Sequence, residues 1–116
     1  GTEIWKWGDT YNGNVIILVD HKAQSHAEFT IMALQQAPNA VTVGSQTAGA
    51  DGNVTFYTFP GEVKTAFSAI GILYPDLTQT QRVGVKIDHY IEQTVEDIHK
   101  GVDTQLEFAI KLANKQ

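Results

Sequence analysis

Apolar and polar positions alternate between two rhythms along this chain. Val15-Ile16-Ile17-Leu18-Val19 is an aliphatic run with no polar interruption. Such a run predicts a strand buried on both faces, as in a parallel sheet. The triplet Asn12-Gly13-Asn14 just before it is a turn signal. From Ser25 to Gln36 the spacing becomes helical. Phe29, Met32, Ala33 and Gln36 share one face, and Ala27, Ile31 and Leu34 another. Apolar residues on two faces predict a helix packed from both sides. Pro38-Asn39 ends it, and Val41-Thr42-Val43 predicts a second short strand. Strand, helix and strand in this order fit a parallel crossover.

A loop rich in Gly, Thr and Ser follows, from Gly44 to Gly52. Residues 53–59 and 63–68 then read as two strands joined by a turn at Pro60-Gly61. Ile70 to Tyr74 is a further apolar run, 75–81 a polar loop, and Val83 to Ile87 a last strand candidate. The tail is helical. Thr94 is placed to cap a helix from Val95 to Lys100, with Gly101 to end it. Asp103 is placed to cap another, running through Leu112, with Leu106, Ala109, Ile110 and Ala113 as its buried stripe. Residues 1–13 read as a polar arm carrying Trp5 and Trp7, and 14–116 as the core of a single α/β domain. The two tryptophans are expected to pack on the domain's own sheet, or else to help pair two copies into a homodimer.

Composition narrows the function. The 116 residues are 42% hydrophobic and 18% charged, which describes a folded domain with a real core. A net charge of −5 provides no basic field for nucleic acid or an anionic membrane, so neither is an expected partner. The absence of cysteine excludes disulfides, thiolate metal sites and a cysteine nucleophile. No segment is long and apolar enough to insert into a bilayer, and no signal peptide is visible. The chain opens on Gly1 rather than Met, as expected of a processed or engineered piece.

Chemistry concentrates at Ser25-His26-Ala27-Glu28. Ser-x-x-Glu is the form of a capping box, in which the hydroxyl accepts from the third helical amide and the carboxylate reaches back. The same serine, at a strand-to-helix junction, stands where amide N–H groups and the positive end of the helix dipole gather. Those groups stabilise an oxyanion formed on a bound carbonyl. A serine nucleophile also needs a base.

The wider sequence bears on that choice. It resembles the carboxy-terminal (tail-specific) processing serine peptidases, in their tricorn-like branch. The resemblance is carried by Val15 to Asp20, Ser25-His26-Ala27-Glu28, and Val43-Gly44-Ser45-Gln46-Thr47-Ala48-Gly49-Ala50-Asp51-Gly52. It continues through Tyr74-Pro75-Asp76, Gln81-Arg82-Val83-Gly84-Val85, Asp88, Thr94, Glu96-Asp97-Ile98, Gly101, Asp103 and Leu106-Glu107. It implies a Clp protease/crotonase-like α/β fold, represented by the C-terminal half of the catalytic domain. It implies peptidase chemistry on a peptide or protein substrate, without a cofactor, in a periplasmic or secreted bacterial setting. Ser25 takes the nucleophile position, the His26 backbone N–H the oxyanion position, and Glu28 that of a supporting carboxylate.

The sequence departs from that pattern at several places. Many members carry a lysine base where this chain has Ala50. Tricorn-like members take a histidine base from the upstream half of the catalytic domain, and an acid shortly before Gly84. Thr80-Gln81-Arg82 holds no acid there. Ile87 stands in place of a proline, and Leu77 in place of a turn glycine. Local bases are limited to His21, in the loop before the serine, and His26. The His26 side chain is expected to diverge from Ser25 by about 100° around the helix. Asp51 and Gly49 in the facing loop are candidates for substrate binding, and Asp51 also for orienting a histidine. Asp20, His21 and His26 make no metal site, since no third ligand at helical spacing appears. The glycines from 44 to 52 lack the lysine of a phosphate-binding loop and are expected to line a peptide cleft. The base is then expected from a segment outside these residues, leaving the isolated chain inactive or very weak. Two other readings remain open. One is a non-catalytic ligand- or peptide-binding module on the same fold, like the retinoid-binding relatives of the family. The other is an unrelated α/β domain with a capping box.

Overall fold

A computed structural model describes residues 8–114 of the chain. Its centre is a three-stranded parallel sheet in the order β1-β2-β5. Strand β1 is Val15–Val19, β2 is Ala40–Gly44, and the short β5 is His89–Tyr90. Helix α1, His26–Leu34, connects β1 to β2. Val15 pairs with Ala40 and Val19 with Gly44, so the two strands end level beside the start of α1. The core gathers on one side of the sheet, where Ile17 and Val19 meet Ile31 and Met32 of α1, with Tyr74 and Val85 closing the cluster.

The expected double-sided burial holds only in part among the described residues. In β1, Ile17 and Val19 are buried while Leu18 is 43% exposed. Helix α3, Thr104–Ala113, packs along β1 and β2. It covers their second face incompletely. Likewise α1 buries one stripe, Glu28, Ile31 and Met32, and leaves Phe29 and Leu34 half-exposed. It ends two residues earlier than the spacing predicts: the N–H groups of Gln36 and Ala37 turn to the Ala33 and Leu34 carbonyls, three residues back, just after Gln35. The Gln35 side-chain nitrogen donates to Thr42 Oγ1 at 2.6 Å and to the Lys86 carbonyl at 2.7 Å. The stripe of α3 is rotated from the expected one. Ala109 is buried, but Leu106 and Ile110 are largely exposed, while Phe108 packs its ring 5.2 Å from His89.

Strands β3, Gly52–Thr58, and β4, Lys64–Gly71, form a separate antiparallel hairpin around Pro60-Gly61. Its outer residues are exposed on both faces, Phe56 most of all at 79%. The candidate strand at 83–87 does not form. Val83 and Gly84 N–H turn back to the Thr80 carbonyl, and side chains, not a neighbouring strand, take the groups that follow. Val85 N–H donates to Thr47 Oγ1 and its carbonyl accepts from Gln46 Nε2. Lys86 N–H donates to the Tyr74 hydroxyl, and its carbonyl accepts from Gln35. Asp88 then takes the Thr42 N–H on its carboxylate and returns its own N–H to the Thr42 carbonyl. That delivers the chain into β5. The two last helices are capped as expected. Thr94 and Asp97 form a capping box on α2, Val95–Lys100, and Gly101 ends it with φ 68°. The Asp103 carboxylate accepts from Leu106 N–H at the start of α3. Trp5 and Trp7 lie outside the described residues.

Candidate active site

The end of β1 turns tightly at Asp20, whose carboxylate and carbonyl accept from Lys22 and Ala23 N–H. This delivers Ser25 to the head of α1. The glycine-rich loop facing it is stitched on by two backbone bonds, Ala48 N–H to the Ala23 carbonyl and Ser25 N–H to the Ala50 carbonyl, both 3.0 Å. Ser25 takes φ 53° and ψ −124°. For a residue with a Cβ this is a sparsely populated conformation costing about 1–3 kcal/mol. In that conformation the hydroxyl makes no cap hydrogen bond. The expected capping box is therefore absent, and the serine side chain lies exposed on the wall of a groove.

The other half of the box turns inward. Glu28 is fully buried. Its Oε1 accepts from the Thr47 hydroxyl at 2.6 Å and from Gly49 N–H at 2.8 Å, and its Oε2 from Ala50 N–H at 2.9 Å. Three donors from one loop outweigh a single exposed bond back to the helix start. Glu28 thus pins the loop whose Ala50 carbonyl holds Ser25. Gly49 belongs to this pin and not to the groove. It is buried at φ 65°, its carbonyl accepts from Arg82 N–H at 2.6 Å, and a Cβ there would meet Val83 N at 2.9 Å.

The groove is a cavity of about 430 Å³. Ser25, His26 and Asp51 share it, with Phe29, Val54, Ile70 and Ile72 as apolar walls. The His26 side chain also lines the groove, where it stacks on Phe29 with ring centroids 6.1 Å apart. The His26 backbone N–H donates to no other described group, as expected of the first amides of a helix. It is available to a ligand. Asp51 is 4% exposed, and its Oδ2 has no hydrogen-bond partner among the described residues. Burial raises its carboxyl above the ordinary range, the nearby charge of Glu28 raises it further, and His26 partly offsets both.

No described imidazole is hydrogen-bonded to Ser25. His21 lines a different depression, with Asp20, Ser45 and Glu92. Among the described residues no cluster of three or more His, Asp or Glu is placed to hold a metal ion. None of the described helices is long and apolar enough to cross a membrane.

The sequence profile of Peptidase family S41 matches residues 5–106. The chain belongs to peptidase family S41. A candidate peptidase from Parabacteroides merdae superposes with a TM-score of 0.82 at 28% identity, over 90% of this chain and 33% of its own. Mature CPAF complexed with lactacystin gives 0.70 at 25% identity, over 86% of this chain and 19% of its own. The tricorn protease gives 0.74 at 20% identity, over 86% and 10%. No curated protein matches the chain significantly. The chain spans a third or less of the length of these structures. The α/β architecture is the Clp/crotonase-like fold of these S41 neighbours.

For this S41 domain, sequence reasoning found Ser25, His26 and Asp51, which share the groove, and Glu28 and Gly49, which lie beneath it. It missed the apolar walls. Val54 and Phe56 alternate with polar residues along β3, so a half-covered strand was visible in the sequence, but not that Val54 would face Ser25.

Proposed function

We propose that this S41 domain hydrolyses peptide bonds with Ser25 as nucleophile, in the manner of the tail-specific, tricorn-like peptidases. The observation that carries the reading is the backbone of Ser25. A strained serine at a strand-to-helix turn, uncapped and facing a groove, is the arrangement that exposes a nucleophile beside the free His26 amide. Ser25 Oγ attacks the substrate carbonyl carbon and gives its proton to a general base. The carbonyl oxygen becomes an oxyanion, to which the His26 N–H donates. Collapse breaks the C–N bond. The base returns the proton to the leaving amine, and water then releases the acyl group from Ser25 by the same steps.

The base comes from outside residues 8–114, since Ala50 fills the loop position of a lysine and no imidazole bonds Ser25. The whole protein works in the periplasm or outside the cell on peptide or protein substrates. The exposed apolar hairpin suits burial within the rest of the catalytic domain or against a second copy. Turnover of an unfolded protein by the full-length enzyme tests this reading. Ser25→Ala is expected to abolish it, and turnover unchanged by Ser25→Ala would contradict it.

A further inference from the structure

We infer that Asp51 makes the groove beside Ser25 a subsite for a basic side chain, lysine or arginine, of the peptide substrate. The inference rests on the peptidase reading of the groove and adds a preference to it. Asp51 is the buried acid of the groove, and its Oδ2 lacks a donor. A buried carboxylate oxygen with no partner costs free energy that an incoming cation recovers. The walls suit the rest of such a side chain. Phe29, Val54, Ile70 and Ile72 offer apolar surface to a methylene stem, while the charged head reaches the acid. Val54 and Ile70 come from the two strands of the hairpin and Phe29 from α1, so the stem would lie between two elements.

The fixed part of the site opposes an acidic guest. Glu28, the second acid nearby, is already saturated by Thr47, Gly49 and Ala50, so it adds negative potential without competing for the cation's hydrogen bonds. His26 is the described basic side chain near Asp51, and it is exposed at the groove's rim, stacked on Phe29. It is free to be displaced by a guest.

Binding tests the inference without turnover. The full-length protein carrying Ser25→Ala is titrated with fluorescent peptides in which lysine, or norleucine of similar length, scans each position of a neutral sequence. At one position lysine is expected to bind about tenfold or more tighter than norleucine, the scale of a charge-assisted hydrogen bond. Adding Asp51→Asn is expected to bring the two peptides within about twofold of each other. Equal affinity of both peptides at every position overturns the inference, and so does a lysine advantage that survives Asp51→Asn. In protein that keeps Ser25, loss of hydrolysis of all peptides alike on Asp51→Asn, with the lysine preference in binding unchanged, also overturns it, by making Asp51 the residue that orients the base. Fluorophosphonate labelling of Ser25 separates the two readings. Labelling without lysine preference sinks this inference alone, and lysine preference without labelling sinks the peptidase reading alone.

Discussion

Removing the Glu28 carboxylate is the sharpest perturbation of the site that leaves every groove residue in place. Glu28→Ala strands three donors, Thr47 Oγ1, Gly49 N–H and Ala50 N–H, which now lie 2.6–2.9 Å from the carboxylate oxygens. Each stranded donor costs about 1–3 kcal/mol where water cannot reach it. Water can reach the partly exposed end near Ala50, so we expect a total of about 3–5 kcal/mol, the range for breaking a buried charged network. Glu28→Gln should be milder. Its amide oxygen can replace Oε1 and keep two donors, but its NH2 group then faces Ala50 N–H. One lost bond corresponds to about 1–2 kcal/mol. Urea denaturation of the full-length protein, followed by circular dichroism, measures both. Because Ser25 N–H bonds the Ala50 carbonyl, the fluorophosphonate labelling rate of Ser25 should fall in Glu28→Gln even where the protein stays folded. A Glu28→Ala loss below about 1 kcal/mol, or an unchanged labelling rate in Glu28→Gln, would refute the loop-pinning role.

Three further outcomes follow from single residues. Leu77 is 76% exposed and holds φ 67°, so Leu77→Gly relieves backbone strain without losing packing and should stabilise the fold by up to about 1 kcal/mol in denaturant. Asp103→Ala removes the side chain that accepts from Leu106 N–H and should cost about 1 kcal/mol, read as a lower urea midpoint. For Asp51, burial raises the folded carboxyl above its ordinary 3.8, so folding favours the protonated form. That contribution is complete below pH 3.8 and is lost as pH rises through the raised value. Asp51→Asn should therefore be more stable than the parent at pH 7, with the gap closing toward pH 4. A gap that widens on acidification would reverse the sign of the argument.

Much of the fold was legible because its signals are local. The aliphatic run of β1, the Thr94 and Asp103 caps and the Pro60-Gly61 turn each act within a few residues. The failures are places where distant groups outbid a local pattern. Ser25 and Glu28 satisfy the capping-box spacing, yet three donors of the 47–50 loop capture the carboxylate. Val83 to Ile87 alternates like a strand, yet Gln46, Thr47, Tyr74 and Gln35 take the backbone groups of Val85 and Lys86, and the Thr80 carbonyl takes the N–H groups of Val83 and Gly84. The stripe of α3 was read from its apolar residues, and Ala109 is buried as read, but Leu106 and Ile110 stay exposed while the ring of Phe108 packs near His89 of β5. Leu77 shows the opposite case. The family pattern expects a glycine there, and the backbone indeed takes a glycine-like φ of 67° with leucine in place.

The central claim is that Ser25 is a nucleophile and not a helix cap. Labelling of the full-length protein with a fluorophosphonate, mapped by peptide mass spectrometry, tests it most directly. The account predicts a single adduct on Ser25, absent in Ser25→Ala and in protein unfolded before exposure to the reagent. An intact, folded protein that takes no label at Ser25 while a control serine hydrolase is modified under the same conditions would contradict it.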